Sequence, residues 1–282
     1  MDAVDPEIPT VGFFGGSTMY SVFTIGEYSI PSLVQETCGA GRINALNFGV
    51  GGYSTSAEIG AYMEAIRHIR LDHAIFYDGV NEIGRYIENV QSNGPDNVVY
   101  AKIGFPYDET RFSEINFNKN HNAKHMWLKE FNIEKLIHKF IRKNIYKSDT
   151  VYNEDIIADD LIAHSDNIIS IYERNVEIIK FIARGHKATV DFFWQPSVFS
   201  KSVKSEREIA LADAAPAVQT LLHREVDRSA GDLAAVIDLT GVFDGQNSRV
   251  YVDAVHLGKS GNQIIASSMI EKSPFLRSVC LN

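Results

Sequence analysis

The chain has 282 residues, a formal net charge of −9 and 45% hydrophobic residues. That length supports a substantial buried core, while the acidic balance, with no long run of Lys or Arg, excludes a nucleic-acid partner and disfavours an anionic membrane surface. No stretch approaches the ~20 apolar residues of a membrane span, and the acidic MDAVDPEIPT lacks the apolar region of a signal peptide, so a soluble protein is expected, with its compartment and oligomeric state open.

In chain order, VGFF (11–14) reads as the first strand. SIPSLVQETCG follows as a helix, with Pro31 near its start and Gly39 after its end. Ile43–Phe48 is the second strand. In STSAEIGAYMEAIRHIR, Thr55 and Glu58 fit a capping box, and Ile59, Tyr62, Met63, Ile66 and Ile69 form an apolar stripe at helical spacing. Ala74–Tyr77 is the third strand. Residues 85 to about 160 are polar, aromatic and Asn-rich, with one helical piece at WLKEFNIEKLIHKFIRKNIY; so long a gap reads as an insertion, a lid or substrate wall within one domain of residues 1–282. HSDNIISIYERNVEIIKFIARGHK is a long helix ending at Gly185. Thr189–Trp194 and Ala235–Leu239 are the last strands, and SGNQIIASSMI the last helix.

Most of the strand runs are nearly continuous in apolar residues, as in strands covered on both faces. Strands alternating with helices predict a doubly wound, three-layer α/β/α sandwich on a mostly parallel five-stranded sheet. The two cysteines, Cys38 and Cys280, form no CxxC or zinc pattern. A disulfide between them is open, but two unpaired, mostly buried thiols are expected.

Ligands of an open α/β sheet sit beyond the carboxyl ends of its strands. The residues there are Gly15, Gly16, Ser17 and Thr18 after the first strand, NFGVGGYST (47–55) after the second, DGVNE (78–82) after the third and VYVDAVHLGKSGN (250–262) after the last. Each suits acyl transfer. A serine hydroxyl needs a base, normally a neutral histidine oriented by a carboxylate. Asp253 and His256, three residues apart in a turn leading into a helix, can supply both. The resulting oxyanion needs donors aimed at it in advance. Candidates are the backbone N–H groups of Ser17 and Gly52 and the side-chain amide of Asn81.

These blocks resemble the SGNH/GDSL hydrolase superfamily. GGST (15–18) stands where that family carries Gly-Asp-Ser, NFGVGG (47–52) at its Asn/Gly block, GVN (79–81) at its Gly-x-Asn block and DAVH (253–256) at its Asp-x-x-His block. The resemblance implies a flavodoxin-like sandwich and ester hydrolysis without metal or cofactor. Ser17 would be nucleophile, His256 base and Asp253 its orienter, with Gly52 and Asn81 completing the oxyanion hole. Gly16 replaces the family's Asp, and Glu82 the Asp that often follows the block-three Asn. The pattern is also similar to the branch associated with bacterial surface-polysaccharide loci, which suggests O-acetyl groups on sugars as substrate. Thr18, Tyr53, Glu82, Trp194 and Gln195 are candidates for lining the substrate, core packing being the alternative for Trp194. A lipid or thioester acyl hydrolase, a sugar O-acetyltransferase and a non-catalytic polysaccharide-binding module remain open.

Competing motifs fail on spacing. Gly12, Gly15 and Gly16 do not make G-x-G-x-x-G, and no Gly-Lys-Ser/Thr follows. The elbow G-x-S-x-G fails because position 19 is Met. His121 and His125 have a helix-compatible metal spacing but lack the Glu of H-E-x-x-H, so two solvated histidines are expected. His68 and His138 fall in helical patterns without a chemical role.

Overall fold

The computed structural model describes residues 7–93 and 160–281. Five strands form one parallel sheet: β1 (Thr10–Gly15), β2 (Asn44–Asn47), β3 (His73–Asp78), β4 (Thr189–Trp194) and β5 (Val236–Asp238), in the order β2-β1-β3-β4-β5. That is the flavodoxin-like order, with its switch point between β1 and β3. Phe13 pairs with Asn47 and Gly15 with Tyr77, so the first three strands end along one rim.

Alternating side chains feed two cores. Phe14, Phe76, Phe192 and Trp194 face a layer of α3 (Thr55–His68), α4 (Val80–Asn93), α5 (Leu161–Gly185) and α7 (Ala217–Gly231). Val11, Phe13, Ile75, Tyr77 and Phe193 face α2 (Ile30–Cys38), α8 (Lys259–Lys272) and α9 (Pro274–Cys280). A four-residue α1 (Ser17–Tyr20) follows β1, and α6 (Glu206–Asp213) precedes α7. The architecture is therefore the three-layer α/β/α sandwich.

Several local expectations change. The Thr55–Glu58 capping box is not formed: Ser54 is the N-cap of α3, the Thr55 N–H and hydroxyl donate to Glu82, and Glu58 turns into the core. The α3 stripe is rotated accordingly. Ala57, Ala61, Tyr62 and Ala65 face the sheet, Met63 is exposed, and Ile59, Ile66 and Ile69 are only partly buried. Small alanines let the helix approach the stacked Phe14 and Phe76 rings, whose centroids lie 4.9 Å apart. Residues 85–93, expected to open the insertion, are the second half of α4, with Tyr86, Ile87 and Val90 in the core. The remainder of that insertion lies outside the described residues.

Cys38 and Cys280 are joined in a disulfide, with Cα atoms 4.3 Å apart, which corrects the expectation of free thiols. The cause is topological. The C-terminal ends of α2 and α9 meet on the rim where strands begin, where Phe275 also stacks on His73 of β3 at 4.4 Å. No described helix is long and apolar enough to cross a membrane.

Candidate active site

At the carboxyl rim, β1 breaks at Gly15–Gly16 and α1 starts at Ser17. The Ser17 Oγ lies 2.7 Å from Nε2 of His256. On the other side of that ring, Nδ1 lies 2.8 and 3.0 Å from the two carboxylate oxygens of Asp253. Asp253 is fixed in turn, its Oδ1 accepting the N–H groups of Val255 at 2.9 Å and His256 at 2.8 Å. Burial alone would raise this carboxyl, but the imidazole and the two backbone donors outweigh it and hold it below the usual aspartate range. Phe23 adds an edge-on contact to the imidazole at 5.2 Å. Residues 239 positions apart are thus in hydrogen-bond contact.

The loops from β2 and β3 close the other side. Gly52 sits at φ 81°, in the left-handed region that favours glycine. Its carbonyl accepts from Nε and Nη2 of Arg85, at 3.3 and 3.2 Å, which sets the tilt of that peptide. Asn81 donates through Nδ2 to the Tyr53 carbonyl at 2.7 Å, leaving its second amide N–H free for another acceptor. A Cβ at position 16 would stand 2.0 Å from that same Nδ2. In this arrangement the Asn81 amide occupies the space that a side chain at position 16 would fill. Asn47 braces the second loop, accepting from the Gly49 N–H at 2.9 Å and donating to the Met19 carbonyl at 3.0 Å.

All five candidate lining residues are buried. Trp194 is a core side chain whose Nε1 donates to Asp227 at 2.8 Å. Tyr53 belongs to the same buried core cluster as Ala57 and Tyr62. Thr18 donates to Gln195 at 3.0 Å, bracing the serine turn from beneath. Glu82 accepts from the backbone N–H groups of Thr55 and Gly79, at 2.7 and 2.9 Å, and so ties the β2 and β3 loops together. Longer polar side chains near a strand end point inward here because the loop backbone needs acceptors where no ladder partner exists.

Sequence reasoning missed Arg85, Phe23, and the burial of Glu58 and Asp78. A signal existed for Arg85, which follows Asn81 by four residues on α4 and shares its face. Burial first, then the charges of Asp78 and Glu82, push the Glu58 carboxyl well above its ordinary 4.5. Asp78 is raised by burial and by Glu82. A raised folded-state value stabilises the fold fully below the unfolded value, and the contribution is lost as pH climbs to the folded one. Glu58→Gln should therefore gain on the wild type between about pH 4 and neutrality, read as a growing difference in Tm; parallel Tm–pH curves would contradict the burial of a titrating acid here.

Among the described residues, no group of three or more His, Cys, Asp or Glu is arranged to hold a metal ion. His68 lies on the exposed side of α3 against Glu64 at 2.7 Å. His121, His125 and His138 lie outside the described residues.

No family model matches the chain, and no curated protein matches it. Among solved structures it is similar to an acetyl xylan esterase (AlAXEase) at 15% identity and a TM-score of 0.45, over 94% of this chain and 99% of the other. It is similar to Axe2, an acetylxylan esterase from Geobacillus stearothermophilus, at 13% identity and 0.47, over 96% and 95%. A third is a G-D-S-L family protein from Desulfitobacterium hafniense DCB-2, at 9% identity and 0.47, over 92% and 95%.

Proposed function

We propose that the protein is a serine ester hydrolase of SGNH type, working through an acyl-enzyme. The observation that carries this reading is the chain of contacts from Ser17 Oγ to His256 Nε2, at 2.7 Å, and from His256 Nδ1 to Asp253, at 2.8 Å. In that arrangement His256 takes the hydroxyl proton as Ser17 attacks the ester carbonyl. Asp253 keeps the proton of Nδ1 in place and stabilises the imidazolium that forms. The oxyanion is received by the N–H groups of Ser17 and Gly52 and the second amide N–H of Asn81. Proton return from Nε2 to the departing alkoxide leaves an acyl-serine. His256 then activates water to release the acid.

The acyl group we propose is acetyl, carried on a carbohydrate hydroxyl. The support is the likeness of the GGSTM, NFGVGG and GVNE blocks to the polysaccharide-associated branch of that superfamily. The test is a panel of p-nitrophenyl esters of increasing chain length beside acetylated oligosaccharides, with and without a sugar acceptor. Acetate release from the oligosaccharide, with falling rates for longer chains, is expected. A preference for long chains would make it a lipid or thioester hydrolase, transfer to the acceptor an acetyltransferase, and binding without turnover a binding module. In the same assay Asn81→Ala should lower kcat by about 10²–10³ with KM little changed, because the oxyanion exists only in the transition state; an unchanged kcat removes Asn81 from the hole.

A further inference from the structure

The loop that carries Asp253 and His256 lies outside the sheet. Its backbone groups at 248–251 are served by a buried ion pair on a neighbouring segment. Lys201 Nζ lies 2.7 Å from Glu208 Oε2, and both side chains are 0% exposed. Five donors converge on the single Glu208 carboxylate. Oε2 accepts from Lys201 Nζ and, at 2.9 Å each, from the N–H and hydroxyl of Ser205. Oε1 accepts the backbone N–H groups of Val250 at 2.9 Å and Tyr251 at 3.2 Å. Lys201 also donates to the Ser248 carbonyl at 3.0 Å. The same segment grips the loop again beyond Asp253, the Val198 N–H donating to the Ala254 carbonyl at 2.9 Å.

From this anchor the geometry runs directly to the site. Val252 N–H donates to the His256 carbonyl at 2.8 Å, Gly258 N–H to the Val250 carbonyl at 2.9 Å, and Tyr251 bridges Leu257. Displacing Val250 and Tyr251 would shift the whole turn that holds the imidazole. Burial works to raise the Glu208 carboxyl, but Lys201 and the backbone donors outweigh it and bring it down to about 2, so it stays charged across the working range. A buried pair of this kind adds little stability over an apolar pair of similar volume. Its distinctive contribution is directional: it satisfies loop N–H and C=O groups that have no ladder.

We propose that Lys201 and Glu208 are positioning residues for the esterase reading given above: through Ser248, Val250 and Tyr251 they hold the turn that keeps His256 on Ser17. The test uses the double variant Lys201→Met/Glu208→Leu, which leaves no uncompensated charge in the core, and Glu208→Asp, which keeps the charge but withdraws the carboxylate by one methylene. Both are expected to fold, with kcat down about tenfold or more and KM within about twofold, since a 1 Å misplacement of a catalytic group can cost ~10². Independently of turnover, the downfield proton resonance of the His256 Nδ1–H facing Asp253 should move or broaden in both variants. A folded variant of either kind with wild-type kcat and an unmoved resonance overturns the proposal, and if the double variant does not fold, Glu208→Asp decides alone. Should the wild type itself hydrolyse no ester, the esterase reading fails while the resonance still judges the anchor.

Discussion

Ser17→Ala is expected to lower ester turnover by about a thousandfold or more while leaving Tm within a few degrees. The hydroxyl is the atom His256 addresses at 2.7 Å, and α1 takes no side-chain cap from its N-cap residue, Gly16. Removing one oxygen therefore empties the reacting position without removing a support of the turn. Loss of a triad serine leaves only the oxyanion hole and binding to act, a residual far below the intact rate. The measurement is kcat/KM on a short-chain ester, paired with labelling by a serine-directed phosphonate and thermal unfolding. Labelling should vanish with activity. Retained turnover in a folded alanine variant would mean that another group attacks. A collapse of Tm would mean instead that the two glycines and the serine exist to pack a strand-to-helix turn.

Reducing the Cys38–Cys280 bond should cost stability and spare catalysis. The bond joins positions 242 residues apart, and the chain-entropy account assigns a loop of that size about 5 kcal/mol, with real values at or below it. Urea unfolding with and without dithiothreitol, and of the Cys38→Ser/Cys280→Ser variant, reads the difference as a shift of midpoint at constant slope. kcat should be unaffected, because the bridge lies on the rim where strands begin and Ser17 on the rim where they end. Superimposable unfolding curves would deny the bridge a stabilising role, and a fall in kcat on reduction would mean that the two rims communicate.

Much of the architecture was legible because it follows from a single rule. Runs such as Val11–Phe14 and Phe192–Trp194 are apolar on both faces, as in a doubly covered strand. What escaped was polar. Helix α7 buries His223 and Asp227 within its apolar face, which interrupts the periodic signal. Glu58 reads as a cap residue by spacing but is buried in the interior, where the charges of Asp78 and Glu82 work against its ionised form. The residues at the centre of the site were readable from strand ends, since four loops on one rim must face a common space. Their braces were not. Arg85 acts on a backbone carbonyl and Glu208 on backbone N–H groups, contacts that leave no mark in side-chain spacing. The Cys38–Cys280 pairing depends on where α2 and α9 end in space, which no count of cysteines reveals.

The separation of Ser17 from His256 along the polypeptide has a consequence for synthesis. The hydroxyl is made with the first strand, whereas the imidazole it touches is made 239 residues later, just ahead of α8. A nascent chain that has not reached His256 carries the proposed nucleophile without its proposed base, and a copy terminated before that point never acquires one. On the proposed reading, copies cut short ahead of His256 lack the base that serine attack needs, whether or not they fold.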